Sequence, residues 1–313
     1  MELAVIIVLK ILGMMLILAI GVLCSRLRII SNSTNRQLTE LVLLVVNPVL
    51  ILMSYNVPFD KAILRSLLWT IAASALVFAV TIFISRLFYP DGRSEHARVE
   101  RCALVYTNCG FMGIPLIHGV LGTEGVLLMS GFIAVFNILV WTHGVMEMSG
   151  SGLSVREFLN SLKAPGLIAV LLGLLLFLSP FRLPVWLAEP LDMISGMNTP
   201  LAMIVAGVNL AQGEFLRVLR QRRTQVFNVV KLLLVPLLAL ALLKLLTHFW
   251  TVDYKVAMTV FVGAACPTAS MVVMFADRYG EDQYYAADLF MASTLFSLLT
   301  IPLMAIVANF LLA

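Results

Sequence analysis

Long apolar stretches alternate with short polar turns along the whole chain, and this pattern predicts helices that cross a membrane. Most of these stretches approach or exceed the roughly 20 apolar residues that a helix needs to cross the hydrocarbon core. Charged residues, glycines and prolines lie between them, where helices end. The ten stretches, called spans 1 to 10 below, are 4–24, 38–56, 65–88, 99–119, 125–147, 164–179, 191–211, 225–248, 255–275 and 284–312. The sequence therefore predicts an all-α polytopic membrane protein.

The composition supports this fold class and narrows the function. Of 313 residues, 61% are hydrophobic and only 12% are charged, whereas charged residues make up about 25% of a typical soluble domain. A net charge of +4 is too small for a nucleic-acid surface. The four cysteines and four histidines are scattered without metal-ligand spacing, so we expect no metal, no cofactor and no enzyme active site.

The basic residues predict the orientation of the chain. Fourteen Lys and Arg residues fall in the loops after the odd-numbered spans, against four in the loops on the other side. Because cytoplasmic loops carry the excess of Lys and Arg, both termini are predicted to lie outside the cell membrane. Span 1 has 21 residues, longer than a signal-peptide core, and is expected to be retained.

Short motifs recur between the two halves of the chain and predict an internal repeat. Asn47-Pro48 in span 2 matches Thr199-Pro200 in span 7, and Cys109 in span 4 matches Cys266 in span 9. We expect a first repeat of five helices at 1–147, a short cytoplasmic linker at 148–163 and a second repeat at 164–313. Since each repeat has an odd number of spans, the repeat is predicted to be inverted.

Helix-breaking residues collect near the middle of several spans, which predicts a binding site at the membrane midplane. Broken helices are tolerated there only around a cavity or inside protein, and their N-terminal ends suit a carboxylate. Cys109 and Cys266 are predicted to be neighbours where the broken spans meet. The predicted substrate site comprises Asn108, Cys109, Gly110, Gly113, Pro115, Asn137, Cys266, Pro267, Thr268 and Ser270.

Two further groups are predicted around this site, and each has a plain structural alternative. Asn47, Pro48, Thr199 and Pro200 are expected to break spans 2 and 7, although prolines in membrane helices often produce simple kinks. Ser293, Thr294 and Ser297 step along one face of span 10 and could line the site or hold an ion. Hydroxyls in helices also bond carbonyls of their own preceding turn.

The motifs resemble those of the auxin efflux carrier family, whose prokaryotic members are similar to malate or malonate permeases. The run from Asn108 to Leu116 carries the most specific resemblance, and Asn47-Pro48, the stretch 265–270 and Ser293 to Ser297 also fit. The resemblance implies crossing helices at spans 4 and 9, a homodimer, and organic anions as substrates. It also implies a scaffold of spans 1, 2, 6 and 7 beside a bundle of spans 3–5 and 8–10 that moves as an elevator. Span 9 has Ala265-Cys266 where plant members place a second asparagine, which argues against auxin itself.

These features together favour a secondary carrier for a small carboxylate over a membrane channel or a receptor. No Asp or Glu lies near the centre of a span, which disfavours a proton carrier that uses a buried carboxylate. Sodium as coupling ion, proton cotransport through the substrate's own carboxylate and uncoupled flux all stay open.

Overall fold

The computed structural model describes residues 2–92, 94–150, 163, 165–212, 221–250 and 252–312, without the side chains of residues 2–8, 10, 11 and 212. The described chain is built of helices, as the apolar pattern predicts. The helices are α1 (Glu2–Arg26), α2 (Asn32–Ser54), α3 (Lys61–Phe88), α4 (Ala97–Val105), α5 (Cys109–Ser149), α6 (Pro165–Leu178), α7 (Val185–Gly196), α8 (Asn198–Gln212), α9 (Arg222–Phe249), α10 (Tyr254–Ala265), α11 (Met271–Tyr279) and α12 (Gln283–Leu312).

Six described segments are long and apolar enough to cross a membrane, and three shorter apolar helices accompany them. The long segments are α2, α3, α5, α9, α12 and the pair α7–α8, and the shorter helices are Leu12–Arg26 of α1, α6 and α10. The backbone of α5 leaves the helical conformation at Gly122, between predicted spans 4 and 5. The chain is thus a multi-pass helical membrane protein. Most of the predicted linker lies outside the described residues.

Two helical interruptions lie within predicted spans 4 and 9. The backbone is extended at Tyr106 after α4 and at Cys266 after α10. Pro267 accounts for the second interruption, since the residue before a proline avoids the helical conformation. The first lies before the glycine cluster that was expected to cause it. Gly110 and Gly113 sit in a π-helical turn at the start of α5, and Pro115 follows in its first α-helical turn, where a proline is tolerated.

The predicted break of span 2 at Asn47-Pro48 is wrong. The backbone stays helical from Asn32 to Ser54, and a π-helical turn at Val42–Val46 comes directly before Asn47. Such a wider turn accommodates the proline ring without ending the helix. Span 7 is interrupted at Met197, between α7 and α8. Thr199 and Pro200 lie in the first turn of α8, directly after this interruption, and Pro200 has no N–H to bond the carbonyl four residues before it.

Helices α1 and α8 pack closely because each has a glycine at the contact. A Cβ added at Gly21 would overlap the backbone of Ile204, and one added at Gly207 would overlap the backbone of Leu18. The two contacts are reciprocal, so the helix backbones lie against each other without intervening side chains. Small residues permit this close approach between helices in membranes.

Ion pairs centred on the buried Arg101 and Glu147 join the bundle helices on the predicted cytoplasmic side. Arg101 of α4 contacts Glu147 of α5 at 2.6 Å and Asp91 of the α3–α4 loop at 2.7 Å, and Arg86 of α3 contacts Glu147 at 3.2 Å. The hydrogen bond and charge of Arg101 hold the pKa of the Asp91 carboxyl below its usual value. This cluster ties α3, α4 and α5 together.

A second cluster is centred on Glu100 of α4, which is fully buried. Arg223 of α9 contacts Glu100 at 2.6 Å, and the Tyr285 hydroxyl of α12 donates to the same carboxylate at 2.9 Å. At the other end of the bundle, Lys255 of α10 contacts Glu124 of α5 at 2.6 Å. Helices from both halves of the chain are thereby joined into one bundle.

Candidate functional site

The two interruptions contact each other. Thr107 and Thr268 form an antiparallel β-bridge. In it, the backbone N–H of Asn108 donates to the Pro267 carbonyl at 2.7 Å, and the backbone N–H of Ala269 donates to the Tyr106 carbonyl at 3.0 Å. These bonds satisfy backbone groups that have left the helical pattern, as buried backbone requires. Residues 106–108 and 266–270 therefore form a crossing, the term used below for this pair of segments.

Thr268 anchors the crossing to two further helices. Its hydroxyl donates to the Ala103 carbonyl of α4 at 3.1 Å, and its backbone amide donates to the Ser293 hydroxyl of α12 at 3.1 Å. Ser293 in turn donates to the Phe290 carbonyl of its own helix. Thr268 thus fixes the position of the crossing.

Cys109 and Cys266 are neighbours, as predicted from the repeat. A Cβ built on Gly113 would lie 3.4 Å from the Cys109 Cβ and 3.3 Å from the Cys266 Sγ. Both thiols are free and buried. Gly113 leaves the space into which Cys266 packs, so these three residues serve the packing of the crossing.

A buried amide pair connects the crossing to the helices beside it. The Asn198 amide, at the start of α8, donates to the Asn47 carbonyl oxygen at 2.8 Å. The Asn47 amide donates to the Gly110 carbonyl at 3.2 Å. The internal repeat matches Asn47 with Thr199, whereas its partner in the structure is Asn198, the residue directly before Thr199.

Asn108 and Ser270 are the predicted polar side chains at the crossing that stay accessible. Asn108 is half-buried and Ser270 is exposed. The Asn108 side chain has no hydrogen-bond partner among the described residues, and its backbone carbonyl accepts from Met112 at 3.0 Å. α5 and α11 both start directly after these two residues.

A cavity of about 590 Å³ on the predicted cytoplasmic side reaches the crossing at Ser270, while Asn108 is not among the residues that line it. Asn35 and Asn209, which are bonded to each other at 2.7 Å, line one wall. Ser270 and Thr294 line the wall formed by α11 and α12. The cavity therefore gives a small polar solute access to the N-terminal end of α11.

The sequence pattern of the family described as "Membrane transport protein" matches residues 6–305. The chain belongs to this family. It is the auxin efflux carrier-like family that the motifs indicated. An "Uncharacterized transporter" of Methanothermobacter thermautotrophicus is 28% identical over 66% of each chain. A "Putative malonate transporter" of Rhizobium meliloti is 25% identical over 76% of this chain and 74% of the relative.

Other site residues predicted for this membrane transport protein lie within its helices. The buried Asn137 donates to the Ile133 carbonyl of its own helix at 3.0 Å and faces Gly166 of α6. Thr294 and Ser297 likewise donate to carbonyls of α12. These two hydroxyls therefore bond carbonyls of the preceding turn, as hydroxyls in helices often do. Thr294 also lines the cavity.

Proposed function

We propose that this membrane transport protein is an elevator-type secondary carrier that moves a small organic anion, a carboxylate, across the cell membrane. The observation that carries the proposal is the crossing itself. α5 and α11 both begin there, and a cavity reaches the start of α11 at Ser270. The first amides of a helix lack carbonyl partners, and its N-terminal end carries about half a positive charge. The unpaired amides at these two ends can donate to a carboxylate, while the C-terminal ends of α4 and α10 beside them offset the partial charge.

Asn108 is the side chain that we assign to the substrate. It directly precedes the start of α5 and is half-buried, and its side-chain amide is free to donate. The backbone amides of Gly110 and Phe111 complete the proposed anion site, since those of Met112 and Gly113 already donate to the Asn108 carbonyl. Ser270 plays the matching part at the start of α11.

The placement of polar contacts supports an elevator. The scaffold, taken as α1, α2, α6, α7 and α8, meets the bundle of α3–α5 and α9–α12 through two polar contacts among the described residues. These are Asn47 with Gly110, and the Tyr55 and Ser130 hydroxyls at 2.5 Å. The inter-helix ion pairs lie inside the bundle. A body joined internally by ion pairs, with few polar contacts to its neighbour, is suited to move as a unit.

The same proposal includes ten spans in a 5+5 inverted repeat, with α4 and α10 as the first halves of spans 4 and 9. An odd number of spans in each repeat supports opposite orientations of the two halves. The homodimer stays a prediction from the family resemblance.

Malonate is the first substrate to test, because a relative is described as a putative malonate transporter.

Reconstitution into proteoliposomes tests the proposal. We expect radiolabelled malonate, or another member of a panel of short mono- and dicarboxylates, to show saturable uptake and counterflow. Counterflow separates a carrier from a channel, since only a carrier exchanges internal for external substrate through a shared site. Flux that neither saturates nor exchanges would contradict the carrier.

Asn108→Ala tests the site. We expect substrate binding to weaken by about 1 to 3 kcal/mol, the range for leaving a buried polar partner unpaired. Asn309→Ala is the matched control, because the Asn309 amide lies in bundle helix α12 and contacts Tyr254 near the helix end. Normal uptake in Asn108→Ala would remove the assignment.

A further inference from the structure

A buried lysine lies directly behind the crossing. Lys231 of α9 is fully buried, and its Nζ donates to the Leu104 carbonyl at 2.7 Å. Leu104 is in the last turn of α4, immediately before the interruption. A π-helical turn at Val230–Leu234 contains Lys231, and such turns are frequent at functional sites.

Lys231 is a charge without a carboxylate partner in the part of the chain that the structure describes. Its ammonium donates to a neutral carbonyl, whereas Arg101 and Arg223 in the same bundle pair with Glu147 and Glu100. Burying an unpaired ammonium is unfavourable, since charge is expensive to remove from water. A structural cap could be supplied by a neutral hydroxyl, as Thr268 does for the adjacent Ala103 carbonyl.

The helix ends at the crossing explain what this charge does. α4 and α10 end there and α5 and α11 begin there. Each C-terminal end carries about −0.5 charge and each N-terminal end about +0.5, so the four ends cancel. When protonated, Lys231 gives the crossing a net charge of about +1.

We propose that Lys231 is the fixed cation of the substrate site: it gives the crossing the positive charge that binds an anion, in place of a cotransported metal ion. This inference rests on the proposed function and adds to it. It assigns anion selectivity to a residue outside the predicted site, and it makes transport independent of sodium. Lys231 is assigned no direct contact with the substrate, and its charge attracts the anion to the crossing through the Leu104 end of α4.

Lys231→Met tests the charge, because methionine keeps much of the side-chain length and the apolar packing. Lys244→Met is the matched control. Lys244 lies on the same helix and also donates to a backbone carbonyl, that of Leu311, but it is near the helix end and away from the crossing. We expect Lys231→Met to weaken malonate binding at least about tenfold, the effect of a 1.4 kcal/mol loss, and Lys244→Met to bind normally.

The binding measurement is a malonate titration of thermal stability in detergent, repeated in sodium and in choline buffer. Wild type should give the same apparent affinity in both buffers. A sodium requirement in wild type would overturn the proposal, and so would normal malonate affinity in Lys231→Met. The comparison of sodium and choline buffers on wild type tests the sodium independence even if Lys231→Met fails to accumulate.

A second measurement does not depend on the substrate. Lys231→Ala leaves room for an alkylammonium ion, so butylammonium should raise the melting temperature of this variant toward that of wild type. Butyltrimethylammonium has the same charge but no N–H to donate to the Leu104 carbonyl, and it should have no effect. Equal effects of both ions, or of butylammonium on wild type, would contradict the assigned role. If wild type binds no carboxylate while butylammonium restores the variant, the proposed function fails but the cation site stands.

Discussion

The Asn198 side-chain amide donates to the Asn47 carbonyl oxygen at 2.8 Å, and both residues are buried. The side-chain amide of Asn47 donates in turn to the Gly110 carbonyl at the start of α5. One chain of hydrogen bonds thus runs from α8 through α2 to the crossing. It links the two halves of the sequence at a buried point.

We expect this chain to be cooperative. Asn198→Ala and Asn47→Ala should each lower the free energy of unfolding, by about 0.6 to 1.7 kcal/mol for a hydrogen bond between membrane helices. Asn47→Ala should have the larger effect because it removes two bonds. Unfolding both single variants and the double variant in detergent measures the coupling energy between the two side chains. Strictly additive losses would show that the two asparagines do not stabilise each other.

The glycine contact between α1 and α8 gives a stability prediction. Gly21→Ala or Gly207→Ala places a methyl group into backbone of the facing helix, which no side-chain rotation relieves. We expect a loss of about 1 to 3 kcal/mol for each, the usual effect of overpacking. Gly13→Ala is the control, because a Cβ there meets nothing within 4 Å. Equal melting temperatures of Gly21→Ala and Gly13→Ala would contradict the close packing.

The sequence predicted the helical membrane fold because apolar length is a direct signal of a membrane helix. It also located the interruption at Pro267, since proline acts on its local backbone whatever surrounds it. It misplaced the effect of Asn47-Pro48, because a π-helical turn absorbs a proline and has no clear sequence signature. Lys231 is visible in the sequence as a charge within a span, but its contact with Leu104 depends on tertiary packing and could not be derived from sequence.

Cross-linking between scaffold and bundle tests the elevator. In a cysteine-free background, thiols at Tyr55 and Ser130 joined by a short linker should stop uptake, since these positions contact across the boundary. Thiols at Glu124 and Lys255, which contact each other inside the bundle, should leave uptake intact when joined. Uptake that survives the first cross-link at full yield would exclude movement between the two bodies.

Orientation follows from the fourteen basic residues on one side against four on the other. A cysteine at Gly92 should react with an impermeant thiol reagent only in inverted vesicles, and one at Gly122 only in intact cells. Both glycines have a positive φ, and no atom lies within 4 Å of the position that a Cβ would occupy, so each substitution strains the backbone without creating a clash. Labelling in the reverse pattern would place the termini in the cytoplasm and reverse the direction in which the cavity opens.

The contact of Cys109 and Cys266 around Gly113 gives the most direct test of the crossing. In a variant that lacks Cys24 and Cys102, a short bifunctional thiol reagent should join these two residues, because each lies within 3.4 Å of the position of a Gly113 Cβ. Cleavage at a protease site engineered into 148–163 should then fail to separate the halves under denaturing conditions. Both thiols are buried, so the reaction needs a small, membrane-permeant reagent such as a mercury linker. Gly113→Ala is the internal comparison, since its methyl group would crowd the Cys266 sulfur and lower the yield. Halves that separate with every linker length, although both thiols are shown to react, would exclude this arrangement of α5 and α10.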